Sequence, residues 1–253
     1  MTTGSHPTDD DPAAVLLQRP RRIDPIRPLS RPLLTGGLGV AGLLLVVIAG
    51  LVLAHAPGWS SRELVVLQWL SGHHAPALDG IALGIAWLFS PPLAATITVL
   101  GGGVVVIVTR NLWRTVTFML IVAASWGGSE VVKWIAQRPR PDGSLLAHPL
   151  AVEHSLSYPS GHTCFAAALA IAVVFTLRDS RWRTLAVVLG CVVVVATAVS
   201  RLYIGVHFPT DVSASLVYAV SAAAVLLVLW LNLFVPRYRA FRAARAVPVA
   251  SGD

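Results

Sequence analysis

Long apolar stretches with no charged side chain inside them constrain this chain more than any other feature. The first runs from Leu33 to Ala54. As a helix, such a run crosses about 30 Å of hydrocarbon, where every backbone polar group must be satisfied internally. Charged residues make up only 12% of the sequence and hydrophobic residues 55%, against a usual ~25% charged for soluble domains. A chain so composed cannot cover a globular surface with polar groups, so lipid serves as its solvent. The first run is too long for the ~7–15-residue core of a secretory signal, and a cleavable signal is not expected.

Further runs set the organisation. Gly80 to Thr109 carries no charge but is broken at Pro91 and Pro92, where the ring ends a helix. This predicts a short interfacial helix near Leu78–Leu88 and a span near Pro92–Thr109. Spans are also expected near Leu112–Ile135, His162–Leu177, Thr184–Arg201 and Val212–Val235. The expected fold class is all-α: an integral membrane bundle of six transmembrane helices plus the interfacial helix near 78–88. Residues 1–32 read as a disordered cytoplasmic tail, 33–235 as one membrane domain, and 236–253 as a basic cytoplasmic tail. Cys164 and Cys191 both lie within apolar runs and read as small buried hydrophobes.

A net charge of +7 raises the question of nucleic acid, but no basic stripe interleaved with aromatics supports it. The cations instead flank the spans. With six crossings, fourteen of the nineteen fall on the side of the termini: Arg19–Arg31, Arg110 and Arg114, Arg178–Arg183, and Arg237–Arg245. The positive-inside bias makes that side cytoplasmic. The other side keeps Arg62, Lys133, Arg138, Arg140 and Arg201. Four of these sit in or beside loops that also hold histidines, so basic residues retained against the topological preference point to an anionic ligand there. The single lysine and abundant Arg, Ala and Val suggest a GC-rich bacterial genome, hence a bacterial plasma membrane.

Those loops hold three clusters: Lys133 with Arg140-Pro141, then Pro159-Ser160-Gly161-His162, then Ser200-Arg201 with His207 and Asp211. A transferring phosphoryl group spreads negative charge over three equatorial oxygens, and its catalysis is mostly positioning and electrostatic stabilisation. Lys133, Arg140 and Arg201 can supply that charge without a metal, the guanidinium groups adding bidentate geometry. Ser160 and Gly161 open a helix whose N-terminus offers unpaired amides to an anion; Ser160 can cap that helix or donate to phosphate. Asp211, four residues after His207, can hold the Nδ1–H tautomer and leave Nε2 as nucleophile. His162 would protonate the leaving alkoxide and then activate water.

With these motifs, in this order and with this internal spacing, the chain resembles the type 2 phosphatidic acid phosphatase family, which shares its site with vanadium haloperoxidases. The resemblance covers about residues 80–235. It implies the same roles for His207, His162 and Asp211, with Lys133, Arg140, Ser160, Gly161 and Arg201 on the phosphate and no cofactor or metal. The expected activity is hydrolysis of a lipid phosphomonoester or pyrophosphate (phosphatidic acid, phosphatidylglycerol phosphate or polyprenyl pyrophosphate) through a phosphohistidine, at the non-cytoplasmic face. The expected partners are the lipid substrate and membrane lipids, with no nucleic acid. A phosphotransferase would use the same intermediate; a haloperoxidase or a non-catalytic lipid-phosphate binder or transporter are further alternatives.

Taken singly, each element has an ordinary explanation. Lys133 could snorkel to the interface, Arg201 could anchor there, and Pro-Ser-Gly-His could be a plain helix cap. Glu130, three residues before Lys133, reads as an ion-pair partner or a tuning group for the site. Arg138 either contacts phosphate or flanks the motif. His73, His74, His148 and His154 read as solvated loop histidines, and head-group contacts are expected from loops 55–78 and 141–158.

Overall fold

The computed structural model describes residues 26–245. Among them there is no strand. The elements are α1 (Pro32–His55), α2 (Trp59–Ser71), α3 (Pro76–Leu88), α4 (Pro91–Thr109), α5 (Leu112–Ala136), a 3₁₀ turn (Gly143–Leu145), α6 (Gly161–Thr176), α7 (Arg183–Tyr203), α8 (Pro209–Val228), a π-helical segment (Leu229–Phe234) and α9 (Val235–Arg245). Proline supplies the first turn of α1, α3, α4 and α8, where its missing N–H costs nothing. Arg110 turns left-handed to end α4, and the Asn111 side chain then accepts from the Arg114 amide to start α5.

The chain is apolar outside as well as inside. Leu33, Ile107, Val108 and Trp134 are among its most exposed side chains, a surface that water would not tolerate and lipid solvates. Among the described residues, five helices are long and apolar enough to cross a membrane: α1, α4, α5, α7 and the continuous stretch from α8 to α9. The expected sixth span, α6, has only 16 residues, roughly 24 Å at 1.5 Å per residue. Yet α6 is the hub. It packs between α5, α7 and α8, and its buried Cys164, Ala166, Ala167, Ala168 and Ala172 let neighbouring backbones approach closely. Phe165 anchors the core beneath the site against Phe89 and Trp126.

Two differences from the sequence reading concern the elements. The expected interfacial helix is present as α3, but α2 lies in what reads as a loop. Its buried residues are Glu63, Leu67 and Ser71, one helical face with only one hydrophobe, so no apolar periodicity announces it. Cys191 is exposed, while Cys164 is buried as expected.

Contacts sort the loops into two ends. At one, Arg114 pairs with Asp179 at 3.0 Å, Trp230 donates to Thr117, and Asn232 bonds both N and O of Leu29. Of the expected 1–32 tail, residues 1–25 lie outside the described residues, and Ile26 and Leu29 are docked rather than loose. The basic segment after 235 begins as a helix, and 246–253 lie outside the described residues. At the other end, α2 binds the motif loops: Gln68 donates to Leu145 O, and Ser71 Oγ accepts from the His148 amide.

Candidate active site

Each cluster reaches the site from the end of a helix. Lys133 occupies the last turn of α5 and Arg201 the last turn of α7. Gly161 and His162 open α6, while His207 precedes Pro209 at the start of α8. Gln137, left-handed at φ 56°, ends α5 and turns the chain toward Arg138 and Arg140. Gly205, at φ 85°, lets the chain reverse between Arg201 and His207; a side chain there would be strained. Hydrogen bonds from the Ser160 amide to Asp211 O (3.4 Å) and from Ser215 Oγ to Ser160 O (3.1 Å) clamp the second cluster onto the third.

A cavity of about 670 Å³ brings together Lys133, Arg140, Gly161, His162, Arg201 and His207. Arg140 is the most heavily held. It donates to Ser155 O (2.9 Å) and Oγ (2.8 Å), to Val206 O (2.8 Å) and to His207 Nε2 (3.0 Å). Because a guanidinium is donor only, that last contact assigns the lone pair to Nε2 and the proton to Nδ1. Nδ1 lies 3.5 Å from Asp211 Oδ2, close to a hydrogen bond but short of one; such contacts are often long without substrate. Burial, then the charges of Arg140 and Arg201, holds the His207 pKa well below the usual histidine value. The ring is therefore neutral, as a nucleophile must be.

Two acidic side chains complete the picture. Glu153, which sequence reading missed, bridges the two arginines: Oε2 meets Arg140 at 2.7 Å and Oε1 pairs with Arg201. Burial raises its pKa, but Arg201 and Arg140 outweigh this and bring it to about 2. A carboxylate gripped by two guanidinium groups beside a neutral imidazole stands where one would place a tetrahedral anion. The only sequence signal was an acidic residue inside a loop already crowded with cations. Glu130 accepts from Lys133 Nζ at 2.8 Å and lines the same cavity, so its two expected roles merge. Gly161 sits beside this pair: a Cβ there would lie in ordinary contact with Lys133 Nζ (3.4 Å) and Glu130 Oε1 (3.7 Å).

Several expectations need correction. Arg138 does not line the cavity. It is fully buried behind it, paired with Asp211 (2.6 Å) and Glu63 (2.5 Å) and lying over the Phe208 ring at 4.3 Å. The Ser160 side chain neither caps α6 nor reaches the cavity: it is fully buried, and its Oγ accepts from Thr163 at 3.1 Å. His162 lines the cavity, with Nε2 donating to Ala86 O at 3.1 Å. Asp211 lies behind His207, its Oδ2 accepting from the Phe208 amide and Ser157 Oγ. His74 is not a solvated loop residue, because it stacks on Tyr203 and donates to that residue's carbonyl. The loop around 55–78 does not line the cavity. Leu83, Ala86, Phe89, Pro91 and Trp126 give the cavity its apolar lining, and Ser90, Ala151, Glu153 and Ser155 also line it.

Residues 111–235 match the PAP2 superfamily. Phosphatidylglycerophosphatase B of Bacillus subtilis is 31% identical over 143 residues, covering 54% of this chain and 68% of that protein. The chain belongs to the PAP2 superfamily. The match starts at Asn111, later than the expected 80, so α3 and all of α4 lie outside it. An undecaprenyl-diphosphatase of Sulfolobus acidocaldarius is also 31% identical, over 110 residues, 42% of this chain and 49% of that protein. The crystal structure of a transmembrane PAP2-type phosphatidylglycerolphosphate phosphatase from Bacillus subtilis has the same fold. It gives a TM-score of 0.64 over 79% of this chain and 96% of that one, at 23% identity. The protein is thus an integral membrane PAP2 protein.

Proposed function

We propose that this protein is a lipid phosphatase that hydrolyses a lipid phosphomonoester or pyrophosphate through a phosphohistidine on His207. The observation that carries this reading is the Arg140–Glu153–Arg201 bridge beside a neutral His207: an anion cradle with its nucleophile at the rim. The apolar wall of Leu83, Phe89 and Trp126 suits the chains of an amphiphile whose head reaches the cradle. The relatives' names, phosphatidylglycerophosphatase and undecaprenyl-diphosphatase, fit this substrate class.

In the first step Nε2 of His207 attacks phosphorus and the P–O bond to the lipid breaks. The leaving oxygen takes a proton from His162, and the ring becomes an imidazolium with its Nδ1–H facing Asp211. In the second, His162 accepts a proton from water as its oxygen attacks phosphorus. The P–N bond breaks, and inorganic phosphate leaves. Lys133, Arg140 and Arg201 balance the charge on the equatorial oxygens, which is the part a metal would otherwise play. Arginine sidedness supports a cavity that opens at the non-cytoplasmic face. A phosphotransferase would differ only in the acceptor of the second step.

Purified protein in detergent is expected to release inorganic phosphate from at least one of phosphatidic acid, phosphatidylglycerol phosphate and a polyprenyl pyrophosphate. It should do so in EDTA, and His207→Ala should be inactive. Activity lost in EDTA and restored by a divalent ion would overturn the metal-independent mechanism; phosphate appearing only with an added alcohol acceptor would favour the transferase.

A further inference from the structure

We infer that Glu63, on α2, is a positioning residue for the nucleophile, acting through Arg138 and Asp211. The inference rests on the reading of His207 given above. Glu63 lies outside residues 111–235, the part that matches the superfamily. Its carboxylate is buried and accepts from Arg138 (2.5 Å), from the Thr210 amide (2.7 Å) and from Thr210 Oγ1 (2.8 Å). Arg138 in turn donates to Thr210 Oγ1 (2.7 Å) and Asp211 Oδ1 (2.6 Å). Asp211 accepts further from Ser157 and the Phe208 amide. Each carboxylate thus has three donors, the pattern of an ionised group.

Charge counting shows what Glu63 adds. Arg138 and Asp211 alone would form a neutral buried pair, its negative charge spent before it could act on His207. A buried guanidinium shared between two carboxylates leaves the cluster with a net charge of −1. The edge of that cluster, Asp211 Oδ2, lies 3.5 Å from His207 Nδ1. His207 gains its positive charge only when Nε2 bonds to phosphorus, so the surplus favours the intermediate over the resting enzyme. The other charged or titratable groups that line the cavity with the ring are Lys133 and Glu130 on α5, Arg140 and Glu153 on the loop, His162 on α6 and Arg201 on α7. Cations outnumber anions among them, so an opposing charge behind the ring has an effect. Glu63 also hangs α2 on the first turn of α8, which keeps Thr210 and Asp211 in register.

The test uses full-length protein in detergent with a short-chain phosphatidic acid. Glu63→Gln should lower kcat by roughly 10-fold, the low end of what outer-shell partners of a functional histidine contribute, with KM nearly unchanged. The acid limb of its pH profile should move to lower pH, because removing a negative charge disfavours the protonated ring. Glu63→Asp should restore most of the rate. Leu67→Ala, a buried packing change on the same helix, should lower the thermal midpoint without moving the limb. An unmoved limb in Glu63→Gln, or a rate loss no larger than in Leu67→Ala at equal stability, would overturn the inference. Should Glu63→Gln fail to fold, Thr210→Val, which removes the hydroxyl bridging Glu63 and Arg138, should show a smaller shift of the same sign, and no shift would be equally fatal. His207→Ala separates the two levels. If it stays active, the nucleophile is misassigned; if it is dead while Glu63→Gln behaves as wild type, only the role of Glu63 fails.

Discussion

Glu153 occupies the place where the proposed mechanism puts phosphate, so substrate must displace it from Arg140 and Arg201. Glu153→Gln removes that internal competitor and should tighten inhibition by orthovanadate several-fold, measured as a lower inhibition constant; unchanged or weaker inhibition would count against a displaceable carboxylate. His162 separates the two half-reactions. In His162→Ala, turnover of a lipid substrate should fall by about 10²–10⁴, the usual worth of a general acid–base group. An aryl phosphate needs little leaving-group protonation and should still load His207, so rapid-quench trapping should find acid-labile phosphate accumulating. Its absence would move the nucleophile elsewhere. For the wild type, burial and two arginines depress the His207 pKa. Falling pH therefore protonates the ring late, and the acid limb should lie below the ~6.5 of a free histidine. A limb at or above that value would contradict a buried, cation-flanked nucleophile.

Helix ends, rather than helix bodies, carry the site, and the turns between them deliver it. Gly205 illustrates the cost of one such turn. It is left-handed, and a Cβ there would come within 2.4 Å of Leu146 Cδ1. Gly205→Ala should destabilise the protein by about 1–2 kcal/mol through the backbone conformation alone, read as a lower thermal midpoint in detergent. It should also lower kcat, because this turn sets His207 relative to Arg201; a variant with wild-type stability and rate would show that the turn tolerates a side chain. The hub α6 follows the same logic. Its first turn must present Gly161 and His162 to the cavity while its alanines pack against three neighbours, which leaves it too short to meet the length of an ordinary span.

Across the whole molecule, arginine placement predicts one topology, with the motif loops on the non-cytoplasmic side. The motif loops share an end with α2 and the 3₁₀ turn, and the basic segments at 110–114 and 178–183 share the other. Ser144, in that 3₁₀ turn, is exposed. With Cys164 and Cys191 first replaced by alanine, Ser144→Cys should react with a membrane-impermeant thiol reagent in intact cells. Labelling only after lysis would invert the topology and move the site to the cytoplasmic side.

What the sequence determined by itself was whatever depends on local pattern. Apolar run length, proline breaks and arginine placement are local properties, and they suffice for an all-α membrane bundle and for the interfacial α3. The three clusters are local too, so the charged and titratable residues of the cavity, Glu153 excepted, could be named in advance. Tertiary structure decided the rest, because the remaining roles belong to pairs far apart in the chain. Motif position singles out Arg140 in advance, but only packing shows that Arg138 is buried against Glu63 and Asp211. Ser160 reads as a phosphate donor, but packing turns its hydroxyl toward Thr163. Glu63 gains its significance from an arginine 75 positions away, and Glu153 from joining Arg140 to an arginine 48 positions further on. No local pattern encodes such partnerships, since the low-dielectric interior that makes them strong forms only when the helices pack.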